Sequence, residues 1–275
     1  MSKIVSLINM KGGVGKTTLA VGLAWELAKN YKVLLVDVDP QFNATQWLVP
    51  TDTYFDWLTK GKTVFDVFQP EAAVPGGIGG FRSGAKPAAP SLKDAIISIT
   101  HSGVTLDIVP SILDLMTLDA APRGTENKLK VFLQQAKGKY DYILIDCPPT
   151  ASLFSYSAYL ASDMYLVPIK PDPLSVLGLP LLERAIEDYQ NRSGHSLARL
   201  GLVLTQVRGT DAMAKNSAQL RLSYPGEVFK EQLPIATGVA EAVQEGLPLQ
   251  EFHKTKNTLR FELHSMAAEF VKRAK

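Results

Sequence analysis

Residues 11–18, Lys-Gly-Gly-Val-Gly-Lys-Thr-Thr, combine the residue types that bind phosphate groups. Glycines let the main chain curl so that successive amide N–H groups point at one anion. The Lys16 ammonium can reach terminal phosphates, and the Thr17 hydroxyl can ligate Mg²⁺. The segment also opens a predicted helix, whose N-terminus attracts anions. The predicted nucleotide-binding residues here are Lys11, Gly12, Gly13, Val14, Gly15, Lys16, Thr17 and Thr18.

The spacing departs from the common phosphate loop GxxxxGK[ST] at its first position. Met10 stands where that motif has glycine, and a second lysine, Lys11, follows it. This arrangement is the deviant Walker A form, K-G-G-x-G-K-T. Together with a preceding strand and a following helix it predicts a site for ATP and Mg²⁺.

Carboxylates end two apolar runs that read as strands. Asp37 and Asp39 follow the run from residue 33, and Asp146 follows the run from residue 142. Phosphoryl transfer needs a metal ion and a positioned water, and carboxylates can hold both. Asp146 is the predicted Walker B residue, which would hold Mg²⁺ through water. Asp39 is the second candidate, whose carboxylate would reach the metal through water, whereas Asp37 is a weaker candidate.

The elements that must position these residues alternate along the chain. Apolar runs predict strands at 3–9, 32–37, 104–110, 140–146, 164–169 and 200–206. Helical periodicity predicts helices at 17–29, 124–138, 153–161, 174–191, 211–223, 237–245 and 257–273. Strands that are apolar on both faces suit a parallel sheet covered on each side. The fold class is therefore predicted as α/β, a doubly wound and mostly parallel sheet in a single domain over 1–275.

Residues 75–90 interrupt this alternation of strands and helices because they are rich in glycine and proline. They are predicted to be a loop or insertion within the domain, since strands of the same sheet lie on both sides.

Composition excludes several classes of protein. Of 275 residues 46% are hydrophobic and 20% charged, which allows a large core. The single cysteine, Cys147, excludes an internal disulfide framework and a CxxC pair. The apolar run 4–8 is too short for a secretory signal, and no apolar stretch of about 18 residues occurs. A cytoplasmic location is expected.

Several motifs beyond the phosphate loop resemble the ParA/MinD group of deviant Walker A ATPases. They are VLLVDVDPQFNAT at 33–45, YDYILIDCPP at 140–149, the stretch 161–182, LVLTQ at 202–206 and LPIATGVAEAVQEGLPL at 233–249. The order and spacing look most like short, Soj-like ParA proteins, and only about 50–95 lies outside the resemblance. Phe42 is a departure, because many relatives carry glycine there.

The resemblance implies that Lys11, Lys16 and Asp39 are the catalytic residues. Lys11 would reach across a nucleotide-sandwich homodimer to the partner's phosphates. Asp39 would position the attacking water, and Asp146 would hold the Mg²⁺ shell. The adenine would lie near Gln206 and Pro234.

Family members also bind DNA without sequence preference, and this implies basic contacts on the C-terminal part. From Arg192 onward there are twelve basic and eight acidic residues, whereas the whole chain carries +2. The candidate DNA contacts are Arg208, Lys215, Arg221, Lys254, Lys256 and Arg260. Phosphate contacts of this kind weaken steeply with salt. The implied function is ATP-dependent partition or positioning of a cargo on the nucleoid, triggered by a ParB-like or adaptor protein.

Two other functions share this motif set. A MinD-like membrane-surface switch would need an amphipathic C-terminal helix, and Leu259, Leu263, Met266 and Phe270 do fall at helical spacing. This stripe is better read as a helix packed on the core, since it ends five residues before Lys275. A shared metal cluster would need paired cysteines, which one cysteine cannot supply.

Overall fold

The computed structural model describes residues 2–69, 90–118, 121–235 and 238–275. Apart from Pro90, the glycine- and proline-rich segment 75–90 lies outside the described residues, so its prediction as a loop stays a prediction.

Seven strands form one sheet in the described part of the chain. They are β1 (Lys3–Leu7), β2 (Val33–Asp37), β3 (Ile97–His101), β4 (Val104–Val109), β5 (Tyr142–Asp146), β6 (Met164–Ile169) and β7 (Ala198–Leu204). The strand order is β3-β4-β2-β5-β1-β6-β7. Only the β3–β4 pair is antiparallel. The predicted doubly wound, mostly parallel fold is confirmed.

The helices are α1 (Lys16–Ala28), α2 (Asn43–Leu48), α3 (Thr51–Lys60), α4 (Val64–Phe68), α5 (Lys128–Gln134), α6 (Leu153–Ala161), α7 (Pro173–Ser193), α8 (Asp211–Ser223), α9 (Val239–Gln244) and α10 (Asn257–Arg273). Short 3₁₀ turns cover Leu92–Ala95, Leu113–Leu118 and Thr125–Asn127. None of the described helices is long and apolar enough to cross a membrane.

The central strands are apolar on both faces because each face has its own core. In β5, Ile143 and Ile145 pack into one cluster, whereas Tyr142 and Leu144 pack into the other. Helices α5, α6 and α7 contribute to the first cluster, and α1 and α10 contribute to the second. Burying both faces is what the continuous apolar runs of a parallel sheet require.

Helix α10 lies closely against α1. A Cβ at Gly22 of α1 would come within 2.9 Å of Leu263 Cδ2, so glycine allows this approach. The apolar stripe of α10 is buried: Leu259 is 5% exposed, and Leu263, Met266 and Phe270 are fully enclosed. The stripe therefore belongs to the core, as predicted, and does not offer a membrane-binding face.

Strand β3 is an addition to the predicted strands, and it forms a hairpin with β4, which was predicted. The turn residues Ser102 and Gly103 have φ of 49° and 79°, so both are left-handed, as a two-residue hairpin turn requires. Helices α2 to α4 were also unpredicted. They are short, and α3 has no fully buried residue, although Tyr54 and Trp57 pack partly buried against the core.

Candidate nucleotide site

The phosphate loop connects β1 to α1 at the carboxyl edge of the sheet. Gly13 and Gly15 adopt φ of 68° and 82°, which are left-handed values that glycine reaches without strain. Gly15 is also the N-cap of α1 and contributes no side chain. The first amides of α1 are therefore open to an anion, as a phosphate site needs.

Residues just beyond β1 and β7, two strands that are separated by β6, brace this loop. The Asn9 side chain accepts from the Lys11 amide at 2.8 Å and donates to Pro168 O at 2.7 Å. The Thr205 hydroxyl donates to Val14 O at 2.6 Å. The loop is thus held in shape by contacts that do not use its inward-facing amides, so it is organised before a ligand arrives.

Lys16 is the first residue of α1 and is 7% exposed. Burial lowers the pKa of its ammonium, although the charges of Asp146 and Asp39 act in the opposite direction. Its Nζ lies 3.4 Å from Lys11 O, at the limit of a hydrogen bond. The charge therefore has weak protein partners and is available to a phosphate.

Asp146 ends β5 and is fully buried. Its Oδ2 accepts from the Thr17 hydroxyl at 2.7 Å, but its Oδ1 has no hydrogen-bond partner in the described residues. Burial raises the pKa of Asp146 to about 7, with the Thr17 bond acting against the rise. A buried carboxylate with one unsatisfied oxygen beside a hydroxyl fits a hydrated Mg²⁺.

The described residues contain no group of three His, Cys, Asp or Glu side chains that could hold a metal alone. Mg²⁺ does not require such a group, since this ion is usually held by one or two protein groups, water and substrate phosphates. Thr17 would be the direct ligand, and Asp146 would act through water.

Asp39 lies just beyond β2 and is 6% exposed. Its Oδ1 accepts from the Gln41 amide at 2.9 Å. Burial raises the pKa of Asp39, while the Gln41 bond and the Lys16 charge lower it. The register places the ends of β2 and β5 side by side, with Asp37 opposite Asp146, so Asp39 follows directly at the same edge.

Asp37 has a different part in the site. It is fully buried, and its Oδ2 accepts from the Thr45 amide at 2.9 Å and the Thr45 hydroxyl at 2.8 Å. Burial, followed by the charge of Asp146, raises its pKa well above the usual value. These partners make Asp37 the anchor between β2 and α2 rather than a group that faces a ligand.

The side chain of Lys11 is bound by residues at the start of α7 and not by the phosphate loop to which its main chain belongs. Its Nζ donates to Asp172 at 2.9 and 2.8 Å and lies 3.1 Å from Ser175 Oγ. Asp172 is the N-cap of α7 and accepts from the Ser175 amide. Burial alone would raise the pKa of Asp172, but the Lys11 and Ser175 bonds lower it below its usual value.

Gln206 and Pro234 lie together beyond the end of β7. The Gln206 side chain donates to Gly13 O at 2.7 Å, and Val207 pairs with Pro234 in an isolated bridge. Pro234 also lines a cavity of about 320 Å³ whose wall includes Arg208. The structure thus places a predicted nucleotide residue and a predicted DNA residue around one cavity.

The six predicted DNA contacts fall into two groups. Lys215 and Lys256 are exposed, as is Arg208. The other three have protein partners: Arg221 donates to Phe229 O and Lys230 O, Arg260 donates to Phe252 O, and Lys254 pairs with Glu241. The paired guanidinium groups of Arg221 and Arg260 hold the chain together, so Arg208, Lys215 and Lys256 are the better placed candidates.

Three contributors to the site were missed by sequence reasoning. They are Asn9, Ser111 and Asp172. Asp172 had a local signal, since Asp-Pro-Leu-Ser is a helix N-cap pattern with proline at N1. Ser111 donates to Asp39 O at 2.9 Å across a long sequence separation, and no local pattern indicates that contact.

Comparison with known proteins agrees with this geometry. A family model described as an AAA domain matches residues 2–199. The sporulation initiation inhibitor protein Soj of Bacillus subtilis is 31% identical over 252 residues, covering 90% of each chain. The chromosome partitioning protein ParA of Caulobacter vibrioides is 30% identical over 254 residues, covering 90% of this chain and 86% of its own.

A solved structure shares the fold. A putative plasmid partition protein from Borrelia burgdorferi, bound to AMPPNP, superimposes with a TM-score of 0.76 at 21% identity and covers 99% of this chain and 100% of its own. The phosphate loop, the strand-end aspartates and the sequence relatives lead to one conclusion. This chain belongs to the ParA/Soj family of deviant Walker A P-loop ATPases.

Proposed function

We propose that this protein is an ATP-driven partition switch. Mg-ATP closes a homodimer, the dimer binds DNA without sequence preference, and a ParB-like or adaptor protein stimulates hydrolysis and release. The observation that carries the proposal is that Lys16, Thr17, Asp39 and Asp146 converge on one edge of the sheet. A phosphate loop alone would support nucleotide binding, whereas a carboxylate beside it supports hydrolysis.

The bound triphosphate would lie on the amides of the phosphate loop, with Lys16 at the β- and γ-phosphates. Mg²⁺, when bound, neutralises charge on the phosphate oxygens. Thr17 and Asp146 would hold it, and the unsatisfied Oδ1 of Asp146 would be available to accept a hydrogen bond from a water. Asp39 orients the attacking water, since its main chain is anchored and its carboxylate lies beside the Lys16 charge.

Lys11 gives the switch its dependence on a second copy. In the monomer it pairs with Asp172, which keeps its ammonium out of the phosphate loop. In the proposed dimer it would exchange Asp172 for the partner's phosphates, which carry a larger negative charge. Turnover would then require two copies and not one.

The first test of this function is nucleotide-dependent DNA retention by the Asp39→Ala protein. Loss of the water-orienting carboxylate should trap the ATP state, so retention on DNA is expected with ATP but not with ADP or without nucleotide. Equal retention in all three conditions would reject the switch.

Lys11→Ala should keep much of the nucleotide affinity and lose stimulated turnover. The matched control is Lys60→Ala, because Lys60 is an exposed lysine on α3.

The DNA contacts can be tested separately by salt dependence. Replacing Lys215 and Lys256 by glutamine should weaken ATP-dependent DNA binding and reduce the slope of log affinity against log salt by about one per contact removed. Lys137→Gln is the control, because Lys137 is exposed and lies before β5 at the opposite edge of the sheet. Binding to anionic liposomes by the same proteins would instead favour the membrane-surface alternative, which the buried stripe of α10 does not support.

A further inference from the structure

Phe42 has a backbone conformation that phenylalanine rarely adopts. Its φ and ψ are 41° and 37°, which lie in the left-handed region. In the described residues only Phe42, Ser102 and Gln206 are non-glycine residues with positive φ. Ser102 belongs to a hairpin turn, whereas Phe42 and Gln206 both border the nucleotide site. A bulky residue persists in this region only where its surroundings hold it there.

Tyr54 is the neighbour that holds Phe42. The two rings are stacked, with centroids 6.1 Å apart and planes 13° from parallel. Tyr54 is itself fixed, since its hydroxyl donates to Ser111 O at 2.9 Å. Neither member of the pair is fully buried: Phe42 is half-buried, and Tyr54 is partly buried and packs against the core cluster that contains α1 and α10.

The conformation of Phe42 is connected to the main chain of Asp39. The Phe42 amide donates to Asp39 O at 2.8 Å and closes the turn that contains Asp39. The Ser111 hydroxyl donates to the same oxygen at 2.9 Å. On the other side, Phe42 O accepts from the Gln46 amide in the first turn of α2. Phe42 thus joins the Asp39 turn to a helix, and its torsion angles set how the turn leaves β2.

We propose that Phe42, held in the left-handed conformation by Tyr54, is a positioning residue for Asp39. The inference rests on the proposed hydrolytic role of Asp39 and adds the device that orients it. The Phe42 amide and the Ser111 hydroxyl both donate to Asp39 O, and Tyr54 contacts both Phe42 and Ser111, so the aromatic pair and Ser111 together fix the direction of the Asp39 carboxylate. Neither ring touches the phosphate loop in the contacts described, so their effect is on the rate of the chemical step and not on nucleotide affinity.

The test compares Phe42→Gly with Phe42→Ala. Both remove the ring, but glycine reaches the left-handed region freely and alanine does not. For Phe42→Ala, kcat for phosphate release with Mg-ATP and DNA should fall by about tenfold, with KM changed by less than about twofold. Phe42→Gly should keep kcat within about threefold of the unmodified protein. Tyr54→Leu should resemble Phe42→Ala, because the Phe42 backbone then loses its support.

A second measurement does not depend on hydrolysis. Thermal unfolding of the nucleotide-free variants should give a Tm for Phe42→Gly above that of Phe42→Ala by roughly 2–4 °C, against the usual order for these two residues. Equal kcat in the two variants, or a Tm that is higher for alanine, would overturn the inference. If the unmodified protein releases no phosphate, the proposed function fails, and the Tm order still decides whether Phe42 is held as described.

Discussion

The phosphate loop and the Asp39 turn lie at the same sheet edge, yet they reach left-handed backbone conformations by opposite means. The phosphate loop places glycine at both such positions, Gly13 and Gly15. The Asp39 turn places Phe42 there and depends on Tyr54 and Ser111 to hold it. The left-handed torsion angles of the first are intrinsic to glycine, whereas that of the second exists only when three separate segments are assembled. We therefore expect the phosphate loop to tolerate changes in its surroundings better than the Asp39 turn does.

The largest expected effect comes from replacing a glycine that has a left-handed conformation in the phosphate loop. Gly15→Ala forces alanine into φ 82°, while its Cβ would meet the nearest atom at an acceptable 3.8 Å, so the cost is conformational. That cost is about 1–2 kcal/mol. ATP affinity measured by calorimetry should fall by about tenfold.

Gly178→Ala is the matched control for this change. Gly178 lies within α7, and an added Cβ would have no neighbour within 4 Å. Alanine favours a helix over glycine by about 1 kcal/mol, so this variant should be equally or more stable and should bind ATP normally. Similar losses of ATP affinity in both variants would show that ATP binding does not depend on the left-handed conformation of Gly15.

A smaller effect is expected where the two regions meet, at Asp146. Burial raises its pKa to about 7, so the folded nucleotide-free protein binds a proton that the unfolded chain releases near pH 4. Its contribution to stability is therefore present at low pH and is lost as pH rises through about 7. Asp146→Asn should raise the Tm by roughly 2–4 °C at pH 8 and by less at pH 5.

Magnesium and ATP should reverse the order of the two Tm values, so that the unmodified protein becomes more stable than Asp146→Asn. The bound cation compensates the Asp146 charge in the unmodified protein, so ligand should increase its Tm more than that of Asp146→Asn. If Asp146→Asn raised the Tm by the same amount at every pH and with or without ligand, the burial of a titrating Asp146 carboxyl group would be contradicted.

The smallest effect concerns Lys11, whose ammonium group is bound by Asp172 at the start of α7. Asp172→Asn weakens its pairing, and the pair is partly exposed, so a change of about three- to fivefold in the ATP-dependent monomer–dimer equilibrium is expected. Light scattering during gel filtration in the Asp39→Ala background would measure it. Asp56→Asn, which breaks an exposed pair on α3, should leave the equilibrium unchanged. A dimer weakened by Asp172→Asn would contradict the view that this contact competes with dimerisation.

The same comparison explains what the sequence could and could not predict. The phosphate loop, the strand ends at Asp39 and Asp146, and the sheet itself were predicted, because glycine spacing and apolar runs are local properties. The contacts of Asp172 with Lys11 and of Ser111 with Asp39 join residues far apart in the chain, and the spacing of residues does not encode them. Phe42 was recognised as a departure from the family pattern, but its effect depends on Tyr54, twelve residues away.

Two unpredicted parts of the fold had weak signals of different kinds. In β3, apolar Ile97 and Ile99 alternate with polar Ser98 and Thr100 before a Ser-Gly turn, which is the pattern of a hairpin strand at the edge of a sheet. The strand was not predicted because only the longer, continuous apolar runs were assigned as strands. Helix α4 has a complete capping box between Thr63 and Asp66 but only five residues, too few for helical periodicity to be read.

The close approach of Gly22 to Leu263 has a consequence for how ligand occupancy can be observed. One end of α1 supplies the phosphate-binding amides, and its middle is pressed against α10, so the two helices open to solvent as one cooperative unit. A nucleotide that binds only the closed form raises the free energy of that opening. Hydrogen exchange at amides of α10 will therefore slow when ATP binds, although no atom of this helix needs to touch it.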